Sequence, residues 1–257
     1  PTKIHLKDYK LPSFDVETVD LDIKLFDDHA IVDSTLVMSH QSEGELELYG
    51  EELELVTITL NDETLANDRY KQVDGKLIIT DAPDQSTLQL QVRIHPQTNT
   101  ALEGLYIAGS GSDTMFVTQC EPEGFRKITF YPDRPDVLAI FTTRLEASKR
   151  FPTLLANGNL IEAGEVAEDA NRHYAIWQDP TNKPSYLFAS VIADLEVLSD
   201  SYTTSEGRKV LLELYAKAED IDKCHVGMQA LKDSMQWDEV NYGRAYDLDR
   251  YMIVAVS

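Results

Sequence analysis

The chain has 257 residues, enough for one large domain or two ordinary ones, and its 42% hydrophobic and 26% charged residues are ordinary for a folded globular protein. Its 23 basic residues stand against 45 acidic ones, a formal charge of −22 that repels phosphate backbones and argues against nucleic acid as a partner. The same charge favours solubility and draws cations such as peptide amines or metal ions.

The first ten residues are charged throughout and lack the apolar core of a signal peptide, and no run approaches the length of a membrane span. Cys120 and Cys224 lie far apart and match neither a disulfide framework nor a Cys-x-x-Cys zinc pattern, so a reduced, cytoplasmic setting is expected. From Val19 the sequence alternates: Val19, Leu21, Ile23 and Leu25 are apolar, with Asp20, Asp22 and Lys24 between them, the period of a half-buried strand. Asp27-Asp28 turns it into a second strand over residues 30–38, making a hairpin. Strands are also expected over residues 46–49 and 53–60, over 77–80 after the Asp74-Gly75 turn, and over 88–94. Short strands at this spacing predict a mainly β fold, an antiparallel sandwich or a large folded sheet.

Met115, Phe116 and Val117 read as a further strand, which Pro122 and Gly124 interrupt. The stretch Gln119-Cys120-Glu121-Pro122-Glu123-Gly124-Phe125-Arg126 then leads on to Tyr131-Pro132-Asp133-Arg134-Pro135-Asp136. Loops presented by rigid strands often carry binding residues; by residue type alone the same stretch is a solvated acidic turn. Cys120 alternates with Gln119 and Glu121, which points its thiol inward. Glu123 is expected to be solvated or to pair with Arg126. Asp133, Arg134 and Asp136 are expected to form a buried ion network holding the loop, with Phe130 and Tyr131 packing beneath. Residues 135–139 read as the start of a short helix with Asp133 as its cap.

Strands follow over residues 141–147 and 172–177, and Pro180 and Pro184 bracket a polar turn before the apolar run 186–192. Near Leu195 the texture changes. Residues 210–215 are strand-like, but Ile221, Cys224, Met228, Leu231 and Met235 recur as one face of a helix does, with Glu219 and Asp220 at its N-terminal end. The sequence stops inside an apolar run from Tyr251 to Ser257, which reads as a strand of a longer polypeptide. A strand–helix–strand order after an all-β region predicts two units: residues 1–195, a β domain, and 196–257, the truncated start of a mixed domain. The second has about 60 residues, too few for an independent core.

No catalytic set is complete. The six histidines include no His-x-x-x-His pair and no His-Glu-x-x-His, and His95 and His225 read as surface or core residues. Gly109-Ser110-Gly111-Ser112 lacks the lysine of a phosphate loop, no Gly-x-Ser-x-Gly elbow occurs, and Cys120 has no evident base.

Gly104-Leu105-Tyr106, the block from Thr118 to Asp136, and Leu155-Ala156-Asn157-Gly158-Asn159 together resemble the N-terminal part of the aminopeptidase N family. Trp177-Gln178-Asp179-Pro180, residues 183–189 and Tyr246-Asp247-Leu248-Asp249 continue the match in the family's order. The family comprises zinc metallopeptidases that remove single residues from peptide N-termini, and the bacterial alanyl type is the most similar. The resemblance implies a saddle-like antiparallel β domain packed on a thermolysin-like α+β catalytic domain. It implies that Gln119 and Glu121 line the first-residue pocket and that Glu121 binds the free α-amine. A second carboxylate, from a Gly-x-Met-Glu-Asn segment, and the zinc-binding His-Glu-x-x-His are expected beyond Ser257. No catalytic residue and no metal ligand are therefore expected here, and the chain alone is expected to be inactive. Its expected partners are the peptide N-terminus and the rest of its own catalytic domain, with no nucleic acid and no membrane.

Such a loop has a physical rationale. An α-amino group titrates near pH ~7.7–8, and nearby carboxylates favour its charged form. One ion pair at ~4 Å is worth at most roughly 4 kcal/mol at an effective dielectric of 20, before desolvation. A neutral internal peptide nitrogen gains none of this. Two other readings stay open: a non-enzymatic β-sandwich binding module using the same loop, and a scaffold whose acidic face docks basic proteins.

Overall fold

Alternation builds the largest sheet of the computed structural model, which describes residues 5–256. In chain order the strands are β1 (Phe14–Leu25), β2 (Ala30–His40), β3 (Leu46–Tyr49), β4 (Glu54–Leu60), β5 (Glu63–Thr64), β6 (Tyr70–Val73), β7 (Lys76–Ile79), β8 (Gln85–Ile94), β9 (Gly104–Ala108) and β10 (Met115–Gln119). Then come β11 (Leu138–Ser148), β12 (Thr153–Ala156), β13 (Asn159–Val166), β14 (Asp169–Pro184), β15 (Ser190–Ala193), β16 (Glu196–Thr203), β17 (Lys209–Ala216), helix α1 (His225–Tyr242) and β18 (Arg250–Val254). Eight strands form one sheet in the order β13-β14-β11-β1-β2-β8-β4-β5. A four-stranded sheet, β12-β15-β10-β9, and a three-stranded one, β3-β7-β6, accompany it. The mainly β, mostly antiparallel fold is as expected; the β1–β11 pair is parallel.

Val19, Leu21, Ile23 and Leu25 are buried on one face of β1, and Val32, Leu36, Met38, Leu88, Leu90 and Val92 continue that face across β2 and β8. Phe14 and Val16 are buried too, although they lie in the opposite phase to Val19. The ladder slips between Val16 and Thr18, and a bulge there returns both halves of the strand to the core. Ser34 sits in this apolar face and is satisfied by Thr129, hydroxyl to hydroxyl at 2.8 Å. Trp177 of β14 is buried, and its indole N–H donates to the Leu154 carbonyl at 3.0 Å.

Two local expectations fail. Residues 135–139 are not helical: β11 begins at Leu138, and the side chain of Val137 is buried in the main core. Pro180 and Pro184 do not bracket a free turn, because β14 runs through to Pro184 with a bulge where Asp179 faces Phe141 and Lys183 faces Ala139. Bulges admit proline in a sheet because the unpaired residues need donate nothing to the ladder. From Glu196 onward the chain forms a separate sheet, β16-β17-β18, with β17 and β18 parallel and α1 on one side. Met228, Leu231 and Met235 of α1 are buried against Val210, Leu212 and Leu214 of β17, as their spacing predicts. The helix follows a 3-10 turn, Ile221–Cys224, and ends at Gly243, whose N–H still donates to the Glu239 carbonyl and whose left-handed conformation then turns the chain out of the helix. Ser257, the end of the expected terminal strand, lies outside the described residues.

Candidate functional site

Strand β10 lies between β9 and β15, with Phe116 opposite Ile192 and Gln119 opposite Gly104. It stops at Gln119. The chain then turns back on itself, Gly124 N–H donating to the Cys120 carbonyl at 2.7 Å, and the Glu121–Pro122 peptide is cis. A Cβ on Gly124 would stand 2.2 Å from the Gln119 carbonyl oxygen, so only glycine permits this approach. A 3-10 turn, Phe125–Lys127, follows.

The ends of the loop are anchored and its tip is not. Cys120 and Phe125 are buried. The Phe125 ring meets Tyr131, Phe141 and Phe188 at 5.0, 5.8 and 5.3 Å between centroids, each edge to face. Gln119, Glu121, Pro122 and Glu123 face solvent. Cys120 points inward as its alternation requires, and burial, reinforced by the charge of Asp133, pushes its thiol far above the ordinary range. It is a packing thiol, not a nucleophile.

Asp133 fastens the loop from beneath. Its buried carboxylate accepts the Arg126 backbone N–H at 3.2 Å and Nε–H at 3.0 Å, and the Ser185 hydroxyl at 2.6 Å. The Arg126 guanidinium lies 4.6 Å from the Tyr49 ring centroid, while Tyr49 and Tyr131 exchange backbone hydrogen bonds. With its carboxylate engaged in this way, Asp133 caps no helix. The single expected network is two separate ones. Arg134 pairs with Asp136 at 2.6 Å and donates to the Lys10 carbonyl, and the Tyr9 hydroxyl donates to Asp136 at 2.8 Å. The Arg134 hydrogen bond holds the Asp136 carboxyl below the usual carboxylate range. Ser185, which the sequence left without a role, belongs to the Asp133 group; its one signal is its place in the stretch that follows Pro184.

At the tip, the Gln119 amide donates to the Glu121 carbonyl at 3.0 Å, so this side chain braces the turn. Glu123 reaches Arg126 at 3.4 Å, and Glu51 and Glu52 each reach Lys127 at 3.2 Å. Among the described residues, no cation lies within ion-pair distance of the Glu121 carboxylate. The cations beside it are already matched, and Glu121 is the tip acid left over.

A groove of about 250 Å³ runs between β15 and the C-terminal strand, with Leu155, Val191, Leu248 and Met252 among its walls. Gln119 and Glu121 do not line it. Its charged groups are engaged elsewhere: Asp179 pairs with the buried Lys183, and Arg250 pairs with Glu213 at 3.1 Å beside the Trp177 ring. Among the described residues no group of three or more His, Cys, Asp or Glu is placed to hold a metal ion. The zinc ligands that the resemblance implies are expected beyond Ser257 and are not among these residues. No described helix is long and apolar enough to cross a membrane.

Residues 15–187 match the family model described as the Peptidase M1 N-terminal domain. The chain is 45% identical over 260 residues to the aminopeptidase N of Escherichia coli (strain K12), a match covering 100% of this chain and 29% of that protein. It is 42% identical over 258 residues to the aminopeptidase N of Caulobacter vibrioides, again covering 100% and 29%. The crystal structure of Legionella pneumophila aminopeptidase A in complex with aspartic acid superposes with a TM-score of 0.89 at 32% identity, over 98% of this chain and 30% of that one. The chain thus spans under a third of the length of these relatives.

Proposed function

The chain belongs to the M1 peptidase family, and from that premise we propose that it is the N-terminal part of an aminopeptidase whose loop at residues 119–126 recognises the free α-amine of a peptide. The unmatched Glu121 carboxylate carries this reading. Glu123, Arg126, Lys127, Glu51 and Glu52 around the loop tip have partners within the chain, so an incoming ammonium is attracted to position 121. Gln119 holds the Glu121 backbone and offers a polar edge beside it. The buried Phe125 and Asp133 keep the loop from relaxing when a cation arrives. A neighbour solved with aspartic acid, a ligand with its own α-ammonium, is consistent with a site of this kind.

Bond cleavage, the zinc that the resemblance implies, and a second amine-binding carboxylate belong in this proposal to the remainder of the protein. The proposal also takes in a cytoplasmic setting with both thiols reduced and a division of this chain near residue 195. In the full-length protein, Glu121→Ala is expected to raise KM and lower kcat/KM toward an alanyl substrate by about two orders of magnitude, through loss of a counter-charge. Glu121→Gln, of equal size, should do nearly the same. Parental kinetics in both variants would remove Glu121 from the site. The isolated 257-residue chain is expected to release no amino acid from that substrate and to purify without stoichiometric zinc.

A further inference from the structure

Helix α1 carries two apolar lines. Met228, Leu231 and Met235 form the buried one. Val226, Ala230, Trp237 and Val240, with Asp233 at their centre, form another about half a turn away, since 3.6 residues complete each turn. This second line is bare: Val226 is 79% exposed, Trp237 54% and Val240 76%. A helix that covers a sheet normally turns a polar face outward. Here successive members are four, three, four and three residues apart, the spacing by which one helix lays a row of side chains into another.

We propose that this outer line is the seat of a second helix, supplied by the portion of the same protein that lies outside this chain. The chain covers 29% of each aminopeptidase N relative, so a protein of that length has ample polypeptide to provide the helix. The unit that holds α1 has room for it. Its own core cluster has six buried residues, and β18 is an edge strand, half-buried along its length. Asp233 sets the chemistry of the occupant. Among the described residues its carboxylate is engaged only by the Gln229 amide, at 2.8 Å. Covering an unpaired carboxylate is costly, so the incoming helix brings an arginine or lysine opposite Asp233 and aliphatic residues on either side. Trp237, edge-on to Tyr242 at 5.3 Å, is the large anchor of the seam.

The test uses Val226→Cys and Val240→Cys in the full-length protein, with Asp68→Cys on an exposed turn as the reference. Native protein is treated with a maleimide and the rates are compared with those after denaturation. Both helix positions are expected to react at least about tenfold more slowly than position 68 in the native state and equally fast once unfolded, because labelling then requires local opening. Native rates equal to the reference overturn the proposal. Protection that disappears on dilution assigns the seam to a second copy of the chain and also overturns it. The readout involves no catalysis, so it stands or falls apart from the role of Glu121.

Discussion

Gly124 decides whether Glu121 is presented at all, because the returning chain passes so close to the Gln119 carbonyl that a methyl group has no room. Gly124→Ala is expected to destabilise the chain by about 1–3 kcal/mol, the usual range for overpacking a filled site. Denaturant unfolding checks this, and unchanged stability would mean that the turn has slack. The sequence announced this loop through Pro122, Gly124 and the clustered acids, and the alternation of residues 119–121 placed Cys120 inside. It did not announce the Asp133–Ser185 contact, which joins residues 52 apart in the chain and leaves no local pattern. Nor did it announce that the Gln119 amide folds back on the loop, since a side-chain bond to the next turn depends on that turn's geometry.

Across five neighbouring strands, the outer face of the large sheet carries a continuous polar ladder. Gln91 of β8 donates to Asp33 of β2, which pairs with Lys24 of β1 at 2.8 Å, and Lys24 also meets Asp22. Asp22 and Glu146 flank Arg144 of β11, each at 2.8 Å, and Glu146 continues to Arg172 of β14 at 2.7 Å. Burial alone would raise the Glu146 carboxyl, but the hydrogen bonds from Arg172 and Arg144 outweigh it and hold the group below its ordinary value. A carboxylate depressed in the folded state contributes stability that is complete above its unfolded pKa, near ~4.3, and is lost as pH falls through the lower folded value. Glu146→Gln is therefore expected to cost about 1–3 kcal/mol at neutral pH, with the gap closing in acid. Thermal melts across that range measure it, and a gap that persists below the carboxylate range would assign the loss to packing. Strands with one buried face were legible in the sequence. Strand β13 was not, because most of its side chains are exposed and no alternation marks it. Helix α1 runs seven residues beyond Met235, the last periodic position, because its final turns carry Trp237 and Val240 on the opposite line.

At the scale of the whole molecule the buried side chains are unevenly shared. The main core is built almost wholly from residues before 195, with Tyr215 its one buried member from beyond and Met252 and Val254 packed against it half-buried, whereas the sheet and helix after that point enclose a small cluster of their own. Polar contacts join the two parts: the Asp249 N–H donates to the Asn159 side chain at 2.9 Å, and Lys217 pairs with Asp113 at 3.0 Å. Exposed contacts of this kind are worth little singly. Residues 1–195 are therefore expected to fold alone with a cooperative transition, since their sheets and aromatic cluster lose few neighbours by the cut. Residues 196–257 alone are expected to show no cooperative melt, because a piece of about 60 residues buries too small a fraction of its surface to offset chain entropy. Circular dichroism melts of the two pieces separate the cases. A cooperative transition in the shorter piece would mean that its few apolar contacts suffice, and the bare line on α1 would then not be the mark of a unit that needs the rest of the protein for its stability.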